Sequence, residues 1–178
     1  GTPIARLSAF VNEAETHSPF RKKLLPEVSA MFTELAPYAG FGMKLVFGNV
    51  WLFGPVLKAV MPAISAQAGA MLKTTIAFTV QKGSDAYNVL PQEAYVGANM
   101  RFIPHQGEKE SLEIIKKVAD KYGLETEVLH ANDYTPPVDI HGEAFHLVEQ
   151  TIADTFPGLP SSPYVMTGAT DAQFYQPI

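Results

Sequence analysis

The run TTIAFTVQKGSDAYNVLPQEAYVGANMRFIP, residues 74–104, decides the fold class. Its first part, Thr74 to Val80, is rich in β-branched and aromatic side chains, and Lys82-Gly83-Ser84-Asp85 punctuates it as a turn would. From Glu93 to Ile103 the residues Ala94, Val96, Ala98, Met100 and Phe102 alternate with polar or small ones, and Pro104 ends the run. The two segments predict a pair of strands. Helical spacing takes over on both sides. Downstream, Leu112, Ile115, Val118 and Ala119 share one face of a predicted helix from Glu110 to Tyr122; Lys116, Lys117 and Lys121 lie toward its C-terminal end and Gly123 stops it. Upstream, Ile4, Leu7, Val11 and Ala14 mark a helix from Pro3 to Glu15, with Thr2 placed to cap it. Strands and helices therefore mix in an α+β chain.

The rest of the chain reads less sharply. Leu25, Val28, Met31, Phe32 and Leu35 predict a helix from near Pro26 to before Pro37, with Arg21, Lys22 and Lys23 a solvated approach to it. Leu124 to His130 reads as a further strand, Pro136-Pro137 as a connection and Gly142 to Thr155 as a helix. A loop from Pro157 to Pro163 and a short strand from Tyr164 to Thr167 follow.

With 178 residues, 47% hydrophobic and 17% charged, the chain has enough apolar material for one core, and its composition is far from that of disordered sequences. Thirteen Lys and Arg against eighteen Asp and Glu leave a net charge of -5, which gives no electrostatic case for nucleic acid. The absence of cysteine removes disulfides, thiolate metal sites and a thiol nucleophile.

One stretch departs from this average. Between Leu35 and Ser84 there is no acidic residue, and the charges are Lys44, Lys58, Lys73 and Lys82. Its uncharged windows, Leu45–Leu57 and Ala59–Leu72, fall short of the roughly 20 apolar residues that span a bilayer, so no transmembrane segment is expected. Gly54-Pro55 and Pro62 are expected to break what helix forms there. Short helices buried against a neighbour are the leading reading; an apolar surface for a partner subunit, a greasy substrate or a membrane interface is the other.

Self-contained catalysis is not visible. There is no His-Glu-x-x-His, Gly-x-Ser-x-Gly, phosphate loop or Gly-x-Gly-x-x-Gly. His141 and His146, five residues apart, point about 140° away from each other on a helix, which suits no common metal site. Glu143 and His146 have Glu-x-x-His spacing, but the only second copy, Glu127 and His130, falls in a predicted strand. A helix entrance near Asp139 and His141, with Glu143 favoured by the helix dipole, explains these residues without a metal. More suggestive are polar residues at the ends of scaffold elements: Asn88, Arg101, and Thr170-Asp171 after Gly168. Turn, ion-pair and capping duties are the commoner use of such residues. Arg101 has the side chain best shaped for a bidentate grip on a carboxylate, so a small acidic substrate is the natural guess.

At these same residues the chain resembles the carboxypeptidase S-like branch of the aminoacylase and carboxypeptidase family of two-zinc metallopeptidases. The similar segments are Thr2-Pro3-Ile4-Ala5-Arg6-Leu7, Asn49-Val50-Trp51-Leu52-Phe53-Gly54-Pro55, Thr74-Thr75-Ile76-Ala77-Phe78-Thr79, Asn88-Val89-Leu90-Pro91, Ala98-Asn99-Met100-Arg101-Phe102-Ile103-Pro104 and Gly168-Ala169-Thr170-Asp171-Ala172, in family order. Gly83-Ser84 stands where the family usually has Gly-Gly, and Gln173 where it has a basic residue.

The resemblance implies a lid, or dimerisation, domain over residues 1–131: a four-stranded antiparallel sheet, its first strand missing, with two helices on one face and an apolar helical insertion at about 20–73. Residues 132–178 would be an incomplete, returning α/β segment of the catalytic domain. It further implies a parent enzyme with two zinc ions that releases a C-terminal amino acid from peptides or N-acyl amino acids and pairs as a homodimer. The zinc ligands and the general base would lie outside this chain, leaving an excised fragment with no catalytic residue. Asn88 and Arg101 would touch substrate, Arg101 at its carboxylate, with Thr170 and Asp171 in a loop near the scissile group. The alternative is a catalytically inert module for dimerisation and carboxylate binding. A third reading has the apolar insertion line a pocket for acyl chains, as lipid-like substrates of this branch would need.

Overall fold

The computed structural model describes residues 1–132, 136–168 and 171. The chain divides into two compact units, Gly1–Arg21 with Lys73–Tyr134, and Lys22–Leu72 with Thr135–Ile178.

The first unit holds the antiparallel pair. Strand β1, Thr75–Lys82, runs against β2, Tyr95–Arg101, from the Thr75–Arg101 pair to the Lys82–Tyr95 pair, with a bulge between Phe78 and Val80. Period-two alternation puts Ile76, Phe78, Val96 and Met100 on one face, where they pack against a core of Phe10, Ala14, Phe20, Ile115, Val118 and Ala119. That core comes mainly from two helices, α1, Pro3–Thr16, and α6, Glu108–Lys121. Phe10 meets Phe78 edge to face at 5.5 Å between ring centroids and Tyr122 at 6.5 Å. Two helices on one face of a sheet is the expected layering.

Local chemistry sets the limits of these helices. Thr2 Oγ1 accepts from the Ala5 N–H at 3.4 Å, and Pro3 occupies the first turn, where its missing N–H costs nothing. At the far end of α6, Gly123 takes φ 62°, and the Gly123 and Leu124 N–H groups turn back to the Asp120 and Ala119 carbonyls. This is a Schellman stop, with Leu124 packed against the core. Arg6 then donates from Nε to the Tyr122 carbonyl at 2.7 Å and from Nη2 to the Gly123 carbonyl. Its cation sits at the negative end of the α6 dipole and ties α1 to it. Buried Thr74 bonds Ser111 Oγ at 3.1 Å and accepts from the Ile103 N–H at 3.4 Å, so one hydroxyl links the start of β1, the exit from β2 and α6.

The same helix pair carries a pH-sensitive contact. Lys121 Nζ and the Tyr122 hydroxyl donate to the two oxygens of Glu13 at 2.7 and 2.5 Å. The Lys121 bond, then the Tyr122 bond, hold the Glu13 carboxyl below its ordinary 4.5, while the bond to Glu13 raises the Tyr122 phenol above its ordinary 10.0. A depressed carboxylate stabilises the fold above about pH 4.5, and the gain is lost as pH falls through the lowered value. The raised phenol works in the opposite sense: its gain is present below about pH 10 and lost as pH rises through the raised value. Glu13→Gln is therefore expected to flatten both flanks of a stability-versus-pH profile measured by urea unfolding. An unchanged acid flank would remove the contact from the list of stabilising ones.

Among the described residues the second unit holds five α-helices. They are α2, Pro26–Leu35; α3, Phe41–Phe47; α4, Val50–Ile64; α5, Ala66–Ala70; and α7, Glu143–Thr155. The Lys23 N–H donates to the Leu72 carbonyl at 2.8 Å, so the two ends of the segment lie side by side. Two expectations fail here. Helix α4 runs through both Pro55 and Pro62 instead of breaking at them. Each proline costs about 3 kcal/mol in a helix interior, but Val50, Gly54, Leu57 and Met61 are buried along one side and hold the helix to its neighbours. Nor are these helices simply buried: α3 has no buried residue, and Phe41 and Trp51 are 88% and 81% exposed.

Two predicted strands also fail to form. Leu124–His130 and Tyr164–Thr167 make no ladder, and among the described residues the sheet has two strands. From Glu125 to His130 every residue is exposed, so no buried face fixes a register.

Candidate functional site

Arg101 closes β2. Its register partner is Thr75, and alternation places it opposite the core-facing Met100, on the face the helices leave open. Tyr95, Gly97 and Asn99 precede it on that face, and Tyr95, Asn99 and Arg101 are exposed. Tyr95 and Asn99 were not singled out by sequence reasoning. Once β2 is recognised, the alternation that marks Val96 and Met100 as core assigns them to the open face.

Asn88 lies in the loop joining the strands, among exposed Ala86, Tyr87, Val89 and Leu90. Ser84 Oγ accepts from the Ala86 N–H at 3.2 Å, and the Ala86 carbonyl accepts from the Val89 N–H at 3.4 Å, which makes this stretch a pair of tight turns. The loop leaves the sheet at the Lys82–Tyr95 end, whereas Arg101 stands at the Thr75 end. Six residues at a rise of about 3.3 Å put about 20 Å between Tyr95 and Arg101. The hairpin therefore places Asn88 and Arg101 at its two ends. Of the remaining pair, Asp171 is exposed, and Thr170 lies outside the described residues.

Chemically, Arg101 is suited to gripping and orienting an anion rather than to acid–base work. A guanidinium stays protonated and offers five N–H donors in a planar fork, which matches a carboxylate and does not move protons. Among the described residues no three His, Asp or Glu side chains come together as metal ligands. The described residues thus bring together no donor set for a two-zinc centre. Near α7, Asp139 Oδ1 accepts from the His141 backbone N–H at 2.9 Å at the helix entrance, and the His146 ring Nδ1 meets Glu149 Oε2 at 3.1 Å.

Comparison with known proteins gives this geometry a context. The peptidase dimerisation domain family matches residues 4–127. The chain is 32% identical over 147 residues to the N-fatty-acyl-amino acid synthase/hydrolase PM20D1 of Xenopus tropicalis, covering 82% of this chain and 28% of that protein. The human protein of the same name is 30% identical over 151 residues, 83% of this chain and 30% of the other. Probable carboxypeptidase S-like 2 of Dictyostelium discoideum is 24% identical over 173 residues, 97% of this chain and 33% of the other. The chain thus spans about a third of the length of these relatives. No solved structure matches it. A match over most of an α+β chain, with two helices on one face of an antiparallel pair, places it plainly: the chain belongs to the peptidase dimerisation domain family, on the carboxypeptidase-like branch of the M20 peptidases.

Proposed function

We propose that residues 1–131 are the lid and dimerisation part of a zinc-dependent amidohydrolase that releases a C-terminal amino acid from peptides or N-acyl amino acids. Both substrate classes carry a free carboxylate close to the amide that breaks. The observation that carries this reading is Arg101, exposed at the end of β2 on the open face of a dimerisation-domain sheet. Residues 132–178 would return to the catalytic domain, and the sheet would reach four strands by addition along the outer edges of β1 and β2. Two zinc ions would be held by another part of the enzyme, where they would polarise the amide carbonyl and activate water. No step of that chemistry is assigned to residues of this chain.

The hairpin sets a condition on the site. Asn88 and Arg101 stand at opposite ends of the strand pair, so one copy does not present both to a small substrate along its own β2. A homodimer resolves this if one copy supplies Arg101 and its partner supplies Asn88. In the enzyme containing this domain, Asn88→Ala and Arg101→Ala homodimers should each lose activity, and randomly mixed subunits should recover about a quarter of it, since half the dimers are mixed and each has one intact site. Mixing that restores nothing would overturn the shared site. Substrates amidated at the C-terminus should be poor relative to their free-acid forms; equal hydrolysis of both would overturn the carboxylate-recognition reading.

The absence of a metal-ligand group among the described residues favours a second reading for the 178-residue chain by itself, a binding and dimerisation module without hydrolysis. Light scattering should then give a dimer and a zinc titration no stoichiometric uptake. A monomer, or zinc-dependent hydrolysis by this chain, would overturn it.

A further inference from the structure

The peptidase reading makes no use of the helices α3 and α4, whose exposed sides are apolar. On α4 the buried positions Val50, Gly54, Leu57 and Met61 share one side, while Trp51, Leu52, Val56, Val60 and Ile64 are exposed on the other. The exposed set recurs at i, i+1, i+4, i+5 and so on, a continuous stripe at 100° per residue that also includes Pro55, Ala59 and Ala63. Helix α3 precedes it at a bend of 107° and adds exposed Phe41, Met43 and Leu45. An apolar face of this continuity marks a contact surface.

Two observations identify what covers it. The first is charge. All eighteen acidic residues lie outside Leu35–Ser84, together with nine of the thirteen Lys and Arg, so the apolar segment is the cationic part of an acidic chain. Lys44 is exposed on α3, and Lys58 lies about 20° around α4 from Trp51, at the rim of the stripe, where its stem can run along apolar surface and its ammonium can reach water. The second is what the stripe lacks. A protein interface needs about one hydrogen bond per 100–200 Å². Between Trp51 and Ile64 the exposed side chains offer the Trp51 indole N–H and no acceptor. Apolar area with a tryptophan near its edge, flanking lysines and no carboxylate is the chemistry of a helix lying in a lipid interface.

We propose that the α3–α4 pair docks this protein on an anionic lipid surface. It lies in the interface and does not cross it. Fifteen residues of α4 reach about 22 Å, short of the ~30 Å hydrocarbon core, and no described helix is long and apolar enough to span a membrane alone.

Trp51 is the single tryptophan of the chain, so its emission reports this surface and nothing else. With vesicles of phosphatidylcholine and phosphatidylglycerol, the 178-residue protein should sediment with the lipid, its emission should move to shorter wavelength, and lipids brominated on the acyl chain should quench it. Leu52→Glu with Val56→Glu puts two charges on positions that are already exposed. This variant should keep its far-UV circular dichroism and lose roughly a hundredfold in vesicle affinity, as expected when two buried aliphatic side chains are forfeited. Phe41→Glu tests whether α3 takes part in the contact and should also weaken binding. Raising salt should weaken it as well. No sedimentation with vesicles, or binding that the double variant retains, would overturn the proposal. So would a blue shift that follows protein concentration without lipid and coincides with dimerisation, since the stripe would then be covered by a second copy. Equal binding to pure phosphatidylcholine would overturn the assignment to an anionic surface.

Discussion

Arg101→Ala, made in the enzyme that contains this domain, is expected to lower kcat/KM for substrates with a free C-terminal carboxylate by a factor of about 30 to 1000 and to leave amidated analogues nearly untouched. The range follows from losing a forked, charge-assisted pair of hydrogen bonds, roughly 2–4 kcal/mol. The loss should be specific because Arg101 is on the open side of the sheet and is not part of the hydrophobic cluster between sheet and helices. Arg101→Lys separates shape from charge. It keeps the positive charge but loses the planar fork, so it should recover part of the activity, with a larger defect in KM for substrates whose carboxylate is held bidentate. Equal losses on free and amidated substrates would mean that Arg101 positions the lid and does not hold the substrate.

Phe10→Ala carries the largest expected effect on stability. Phe10 is 6% exposed and stands where α1, β1 and the end of α6 meet, edge to face with Phe78 and near Tyr122. Truncation removes a buried ring and leaves a void that Ala14, Val118 and Ala119 are too small to close. Such changes cost about 3–5 kcal/mol, a large share of the 5–15 kcal/mol that holds an ordinary domain together. The melting temperature should fall by about 10 °C or more. Phe10→Leu, which keeps most of the volume, should cost less than half as much. A loss under about 1 kcal/mol for the alanine variant would show that the helices do not pack on the sheet through this ring.

The framework of the first unit could be read from residue spacing. Period-two alternation in residues 74–103 and the i, i+3, i+4 spacing of α1 and α6 are strong because each element has one buried face and one wet one. Gly123 and Thr2 were identifiable as stop and cap for the same local reason. The second unit resisted. Local rules treat Pro55 and Pro62 as breaks, yet burial of Val50, Leu57 and Met61 overrides them. An apolar run whose few charges, Lys44 and Lys58, mark no single face also cannot say which side is wet, so the exposure of Trp51 and Phe41 was hidden. Leu124–His130 failed in the opposite way: its composition suits a strand, but a strand exists only with a neighbour to bond. For the candidate site, chemistry and family resemblance pointed to Arg101 and Asn88. Their separation along the hairpin could be known only from its register, which depends on the bulge after Phe78.

The hydrogen bond between the Lys23 N–H and the Leu72 carbonyl has a consequence for how this protein can change over time. A segment of about fifty residues leaves and rejoins the chain within one hydrogen bond, so its entry and exit make a single small footprint. The entropy of closing such a loop grows only with the logarithm of its length. Insertions, losses and wholesale rewriting within Lys22–Leu72 should therefore be tolerated with little strain on the hairpin or on α1 and α6. The surface that meets the surroundings can diversify at its own pace, while the frame that holds Arg101 keeps its shape.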